Sequence, residues 1–405
     1  MPAEIGHWQR LEIAARKIFA LYGFQEIRTP LLEQTPLFSR GIGENTQVVQ
    51  KEMYTFEDKG GDSVTLRPEG TASVVRAYIE HSFKAHETIS KLYYMGPMFR
   101  YERPQKGRLR QFHQIGAELI GIDSPFADAE VIIMLDRLIC ELGIEGYELQ
   151  INSLGTSDER AIYIQKLVDY FSNVQNQLCD ECRVRLEKNP LRILDCKVET
   201  CRALGKSAPV LLEVLGESSK NEFEILQHQL SEAKVNFVVN PRIVRGLDYY
   251  EKTAFEFTSS KLGSQSAFAG GGRYNRLIHE LGGPETPAVG FAMGCERVVM
   301  LLNEISKSDV VEKQNAIYFV PLNESAFSHC RSLIQNMRDQ GVQAEMDYEL
   351  KSLKSQMRRA DKLNFLFAAI VGEDEMKSGT VSLKNLQLGH QESVSQNELV
   401  GKIRA

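Results

Sequence analysis

The chain has 405 residues, 42% of them apolar and 25% charged, which suits a soluble globular protein of one to three domains. Its net charge of −6 argues against non-specific nucleic-acid binding, although a local basic surface can still steer a polyanion. No apolar run approaches a membrane span and no cleavable leader opens the chain, so the cytoplasm is the expected location; the seven cysteines, an odd number, do not suggest a disulfide framework.

Trp8, Leu11, Ala15, Ile18, Phe19 and Tyr22 recur at helical spacing, which predicts an amphipathic helix over residues 4–22 stopped by Gly23. Phe24 to Glu33 reads as extended chain broken by Pro30, suited to an edge or interface strand. Met53–Phe56 and Val64–Arg67 form an expected hairpin through Lys59–Asp62, followed by a helix from about Ala72 to Phe83. Pro68 keeps Arg67 extended, Gly70 lets backbone approach a ligand at the helix start, and Glu69 suits the positive end of that helix.

Residues 99–118 predict two antiparallel strands joined by a basic loop between Arg103 and Leu109, with Pro104 and Gly107 as turn residues. Alternation puts Phe112, Gln114 and Glu118 on one face around a gap at Gly116, with Arg100 and Glu102 sharing a face on the first strand. An arginine, an aromatic ring, an amide and a carboxylate on one wall suit a flat, charged ligand. A helix over 127–142 and a strand over 147–152 complete a set of strands that fits an antiparallel α+β core.

Composition shifts at residue 157, and residues 157–236 read as an inserted helical subdomain. Cys179, Cys182, Cys196 and Cys201 resemble a zinc pattern, but the second pair is spaced by four residues and the gap between pairs is short, so reduced cysteines are favoured over bound metal. The core resumes with Phe237–Val239 and a strand running through Thr258. Gly270-Gly271-Gly272-Arg273-Tyr274 lacks the features of a phosphate-cradling loop; a hairpin corner and a close approach to a ligand explain the glycines equally well. Residues 288–297 read as a strand entering a helix, with Arg297 at the junction. After a linker over about 303–315, strands at 316–320, 342–346, 365–371 and 380–383 alternate with helices at about 324–340, 353–363 and 396–404, a separate α/β domain. Lys351, Lys354, Arg358 and Lys362 recur as a basic stripe, for which a solvated helix face is the first explanation.

These stretches together resemble the histidyl-tRNA synthetases, a family of class II aminoacyl-tRNA synthetases. Phe24–Glu33 is similar to the class motif 1, Phe99–Glu118 to motif 2, and Gly290–Arg297 to motif 3. Arg245-Gly246-Leu247-Asp248-Tyr249-Tyr250 and Gly270–Tyr274 are specific to the histidine enzymes, and Thr65–Thr71 and Arg103–Gly107 add to the match. The resemblance implies a six-stranded antiparallel catalytic core over 1–156 and 237–305, a helical insertion over 157–236, an anticodon-binding α/β domain over 316–405, and a homodimer formed through motif 1. It implies a histidine–tRNA ligase that joins L-histidine to tRNA(His) through a histidyl-adenylate, with ATP as substrate and Mg²⁺ as cofactor.

Residue roles follow from the same resemblance. Arg100 and Arg245 are the implied catalytic cations, Arg245 lying between the amino-acid carboxylate and the α-phosphate. Glu102, Arg108, Phe112 and Arg297 complete the ATP site with Arg100. Glu69, Gly70, Thr71, Gln114, Glu118, Tyr249, Tyr250 and Tyr274 form the histidine site with Arg245, Glu118 and Tyr250 being matched to the two imidazole nitrogens. Arg103 and Gln105 are candidates for reading an extra 5′ guanosine of the tRNA, and Lys351, Lys354 and Arg358 for contacts in its anticodon region. The family carries a Gly/Asp/Pro-containing segment ahead of the first helix, of which this chain begins at about the last residues, and Asn275 stands where the family usually has Asp. A regulatory paralogue without ligase activity is the main rival; such proteins lack the anticodon domain and the second histidine stretch, both of which are present here.

Overall fold

The computed structural model describes residues 2–43, 46–194, 196–243, 247–263, 266–306 and 314–404. Arg245 and Gly246 therefore lie outside the described residues, as does most of the expected linker. The chain forms two compact units, residues 1–308 and 309–405.

The first unit is built on an eight-stranded sheet. Across it run Gln25–Glu26, Ser90–Phe99, Gln111–Ile120, Ala288–Gly294, Ala267–Arg273, Glu251–Ser259, Tyr147–Ser153 and Val238–Val239. The six inner strands are all antiparallel, and the two-residue strands at either edge pair in parallel. The Pro30 segment accordingly lies beside an edge, as a proline requires. Leu32–Gln34 continues it into a separate three-stranded sheet with the hairpin Tyr54–Glu57 and Ser63–Leu66.

Strand alternation separates two layers. Ile115, Ala117 and Leu119 face a large apolar core shared with the helices Pro2–Leu21, Pro125–Glu141 and Cys295–Ser306. The opposite face carries Tyr94, Tyr249, Tyr250 and Tyr274 with Val74, Val75 and Tyr78 of the helix Thr71–Glu80, so polar groups on that face are backed by packed rings. The three long helices cover one face of the antiparallel sheet, and the other face carries the site beside the helix Thr71–Glu80.

The insertion has its own small core, built from Tyr163, Leu167, Phe171, Leu178, Leu186, Ile193 and Leu211 with Cys182, Cys196 and Cys201. Its last helix, Glu217–Glu232, instead buries Phe223, Leu226 and Leu230 in the main core. Glu159 clasps the neck: it accepts hydrogen bonds from the Thr156 amide at 2.7 Å, the Gly216 amide at 2.6 Å and the Ser219 hydroxyl at 2.9 Å. A further helix, Asp180–Lys188, carries Cys182 within the insertion.

The second unit is a five-stranded sheet in the order Ala344–Glu345, Gln314–Pro321, Phe365–Val371, Thr380–Asn385 and Gln391–Ser395. Its first three strands are parallel and its last two antiparallel, and apolar clusters cover both faces. The strand Gln391–Ser395 and the helix Glu373–Ser378 add to the expected elements.

Candidate active site

A cavity of about 440 Å³ opens on the tyrosine-bearing face of the large sheet. Its wall includes Glu69, Thr71, Arg100, Glu102, Arg108, Phe112, Gln114, Tyr249, Tyr250 and Arg297. Residues from four separate stretches of sequence thus reach one space, and they are the ones expected to bind histidine and ATP.

The helix Thr71–Glu80 presents its N-terminus here. Glu69 is buried and accepts from the amides of Thr71 at 2.7 Å and Ala72 at 2.8 Å, so it caps the helix while lining the cavity. Burial pushes its carboxyl pKa up, opposed by those amides and the Arg100 charge. Gly70 and Gly116 make room for the Tyr94 ring, which sits against both; the gap expected at Gly116 is filled by its cross-strand partner, Tyr94.

Glu118 is fully buried. The Thr71 hydroxyl donates to its Oε1 at 2.7 Å, and the Tyr274 hydroxyl donates to its Oε2. Burial pushes the Glu118 pKa up to about 8, against the lowering effect of these two bonds, with the nearby Glu69 charge adding to the rise. Glu118 and Tyr274 are not among the residues lining the cavity; they stand behind Thr71 and Tyr249. Gln114 does line it, and its Oε1 has no hydrogen-bond partner among the described residues, an atom poised for a ligand donor. Tyr249 packs on Tyr250 with ring centroids 4.6 Å apart and on Tyr274 at 5.6 Å. Burial holds the phenols of Tyr249 and Tyr274 well above their ordinary pKa, so both remain neutral donors.

Arg100 and Glu102 lie just past the end of the first strand, which stops at Phe99 rather than running through them. The Tyr101 amide donates to the Glu52 carbonyl at 2.7 Å instead of crossing the hairpin, so the chain peels away from the ladder. The Arg100 guanidinium is held by the Pro68 carbonyl at 2.9 Å and lies over the Phe112 ring, 5.3 Å from its centroid. Glu102 pairs with Arg108 at 3.2 Å. Gly107 turns the loop at φ +76°, and its carbonyl accepts from Arg297 Nε at 3.0 Å; Arg297 also donates to the Ala267 carbonyl. Burial first, then the Arg108 charge, lower the Arg297 pKa, opposed by the nearby Glu102 and Glu256 charges. Arg103 and Gln105 are exposed on the same loop.

The glycine triplet is not a hairpin corner. Gly270, Gly271 and Gly272 lie within the strand Ala267–Arg273, where a Cβ on Gly271 would meet Phe291 Cα at 2.7 Å and collide with the Gly290 carbonyl. Gly290 serves Glu118 in the same way, since a Cβ there would strike the carboxylate and the Ala117 carbonyl. Arg273 leaves this strand fully buried and bonds Asp128 at 3.0 Å, the Ile122 carbonyl at 2.9 Å and Asn275 Oδ1 at 3.0 Å. Asn275 Nδ2 in turn reaches Asp123 at 3.2 Å, a contact that an aspartate in its place would make repulsive.

Sequence reasoning missed several residues of the site. Tyr94, Asp128 and Arg273 support it from behind, and Glu256 and Glu296 add carboxylates to the cavity wall. Glu256 sits directly across from Gly270 in the strand pairing, a relation that only register reveals. Glu296 accepts from the His113 amide at 2.9 Å. A second cavity of about 590 Å³ shares Arg108 and Tyr250 with the first and is walled by Arg160, Arg185 and Arg192 of the insertion. In the second unit, Lys354, Arg358 and Lys362 are exposed on the helix Leu353–Lys362, while Lys351 precedes it and pairs with Asp347 at 3.6 Å.

The family model of histidyl-tRNA synthetase matches residues 1–160 and 192–298, and that of the anticodon binding domain matches 316–405. The chain belongs to the histidyl-tRNA synthetase family. It is 50% identical over 394 residues to the histidine–tRNA ligase of Trichlorobacter lovleyi, covering 97% of this chain and 93% of that protein. It is 46% identical over 405 residues to that of Desulforamulus reducens, covering 100% and 97%. The crystal structure of apo S. aureus histidyl-tRNA synthetase superposes with a TM-score of 0.82 at 35% identity, covering 100% of this chain and 97% of that one.

Proposed function

We infer that this protein is a histidine–tRNA ligase: it condenses L-histidine with ATP to histidyl-adenylate and pyrophosphate, then passes the histidyl group to tRNA(His) and releases AMP. The observation that carries this reading is one cavity lined both by Glu69, Thr71, Gln114, Tyr249 and Tyr250 and by Arg100, Glu102, Arg108, Phe112 and Arg297. Membership of the family and the near full-length relatives support it.

In this reading the histidine carboxylate attacks the α-phosphorus in line, forming a C–O–P bond as the bond to pyrophosphate breaks. Negative charge grows on the α-phosphoryl oxygens, and guanidinium groups already fixed in place stabilise it without rearranging. Arg100 is fixed by the Pro68 carbonyl and the Phe112 ring, and with Arg245, which lies outside the described residues, supplies the opposing positive charge. Phe112 and Glu102 engage adenine, and Arg108 and Arg297 the outer phosphates and base. The carboxylates of Glu256 and Glu296 on the cavity wall suit a hard cation, and Mg²⁺ bound there would add Lewis-acid stabilisation.

Glu69, Thr71 and Gln114 hold the α-amino group, the free Gln114 Oε1 being a ready acceptor for an ammonium proton. Glu118 and Tyr250 face the imidazole nitrogens, Glu118 becoming reachable by adjustment at Thr71, and Tyr274 fixes the Glu118 carboxyl. Neutral imidazole has one donor and one acceptor, and a carboxyl with a pKa near 8 exchanges a proton readily at physiological pH. Arg103 and Gln105, exposed on the loop, meet the tRNA acceptor end, with the arginines of the larger cavity beside them; Lys354 and Arg358 meet its anticodon arm, and Lys351 joins them if its pair with Asp347 opens.

Homodimerisation through the Pro30 segment is supported by the exposure of Leu31 and Leu32 and by a groove of about 580 Å³ lined by Pro30, Leu32, Leu37 and Val64. No helix among the described residues is long and apolar enough to cross a membrane, and the work of charging tRNA belongs in the cytoplasm. The regulatory reading is disfavoured by the matched anticodon domain and the intact tyrosine set. Incubating the protein with labelled histidine, ATP, Mg²⁺ and tRNA(His) transcript tests the inference. Acid-stable histidyl-tRNA supports it; adenylate without any transfer to the transcript contradicts it.

A further inference from the structure

The four cysteines of the insertion are far apart in role from the catalytic cavity, yet the fold gathers them closely. The sulfurs of Cys179, Cys182, Cys196 and Cys201 all lie within 4.8 Å of one another, and Cys179 and Cys196 are 3.9 Å apart. A single tetrahedral ion bound by thiolates at about 2.3 Å sets its sulfurs about 3.8 Å apart, so a small inward movement closes four ligands around one metal. A disulfide needs sulfurs at about 2.05 Å, and all four thiols are free.

We propose that Cys179, Cys182, Cys196 and Cys201 bind one structural Zn²⁺ ion that pins the insertion. Cys179 caps the helix Asp180–Lys188 and Cys182 sits in its first turn; Cys201 occupies the first turn of the second helix, Glu199–Ser207. Two helix N-termini therefore lie at the sulfurs. The Cys179 amide also donates to Cys201 Sγ at 3.3 Å, orienting one sulfur and offsetting its charge. Cys182 and Cys201 are fully buried and Cys196 nearly so, which describes a closed ligand set without an open position.

The spacing that weighed against zinc is explained by these helices. Residues 183–194 run through one helix and a short 3₁₀ turn, Pro190–Ile193, which fold the second pair back onto the first. The choice of metal follows from donor set and size. Four soft thiolates select zinc or iron, and a span of at most 4.8 Å fits one ion rather than an iron–sulfur cluster.

A metal here has work to do. The insertion core is small, and small cores commonly need a metal or a disulfide to hold a single structure. Cys196 and its neighbours Arg192 and Leu194 also wall the larger cavity beside Tyr250, so the ion would fix that wall. Binding displaces up to about four thiol protons, one from each sulfur.

The test uses full-length protein purified without chelator and without a histidine tag. Elemental analysis is expected to return about one zinc per chain, released when a mercurial titrates the thiols. Cys182→Ser and Cys201→Ser should each lose most of it, whereas Cys140→Ser, at an exposed cysteine outside the cluster, should keep it. Stripping wild-type protein with a strong chelator should lower its unfolding temperature, and zinc alone should restore it, a readout that survives if the serine variants fail to fold. Less than about one-tenth of a zinc per chain in zinc-supplemented protein overturns the proposal, as do stoichiometric iron in its place or full zinc retained in the Cys182→Ser/Cys201→Ser double variant.

Discussion

The Thr71 hydroxyl donates to Glu118 Oε1 across 2.7 Å, tying the N-terminus of a helix to an inner strand of the sheet at a carboxyl that water does not reach. This bond makes Glu118 a support for the cavity wall, and in the proposed function its carboxyl answers an imidazole nitrogen of the substrate. Replacing the carboxyl by its amide, Glu118→Gln, should raise the histidine KM by about tenfold or more while moving the ATP KM much less, because a mismatched buried polar pair costs more than about 1 kcal/mol. Steady-state pyrophosphate exchange with each substrate varied in turn measures both.

The same carboxyl makes stability depend on pH. Its pKa is raised from 4.5 to about 8 in the folded protein, so the folded state holds a proton that the unfolded state gives up. The stabilising effect is fully present below about pH 4.5 and is lost as pH rises through about 8. Thermal melts of ligand-free protein should therefore show wild type losing stability relative to Glu118→Gln between those limits. Parallel pH profiles for the two proteins would count against the assignment.

Arg100 is fixed from two sides, by the Pro68 carbonyl and by the Phe112 ring. Arg100→Ala should lower the rate of adenylate formation by about 10²-fold or more, as loss of one preorganised donor does. Arg100→Lys keeps the charge but not the planar fork, and should recover only part of the rate. Rapid-quench measurement of adenylate at saturating histidine and ATP separates this from weaker binding.

Asp128 and Arg273 form a fully buried ion pair behind Tyr274. Asp128→Ala should destabilise the protein by about 3–5 kcal/mol, since it leaves a buried guanidinium without its partner. Urea denaturation gives the value, and a loss under about 1 kcal/mol would mean that the neighbouring carbonyls and Asp123 suffice.

How much of this could be read from sequence depended on distance along the chain. Alternation placed Phe112, Gln114 and Glu118 on one face, because that relation is local. It could not show Tyr94 filling the gap at Gly116, which depends on strand register. It carried Arg100 and Glu102 onto the strand, whereas a hydrogen bond from Tyr101 to Glu52 pulls the chain off the ladder. The Asp128–Arg273 pair spans 145 positions and has no local signature. The glycine triplet was ambiguous because a turn and a close backbone approach to a ligand both call for a missing Cβ; the residues lie in a strand, where Phe291 crowds Gly271. Assigning the polar wall to histidine and ATP required the family resemblance; spacing alone reached only a flat, charged ligand.

The basic stripe tests the second unit separately. Lys354→Glu and Arg358→Glu, at exposed positions, should raise the KM for tRNA(His) and flatten its salt dependence by about one unit of slope for each phosphate deprived of its cation. Histidine-dependent pyrophosphate exchange, which needs no tRNA, should remain at the wild-type rate. A fall in exchange would place these residues outside the role given to them.

The most direct test is ATP–pyrophosphate exchange by the purified full-length protein with each amino acid in turn. Exchange with histidine and Mg²⁺, at least about 10³-fold faster than with amino acids that lack ring nitrogens, is the expected result. Folded protein that exchanges no pyrophosphate at saturating histidine, or exchanges it as well with another amino acid, would contradict the account.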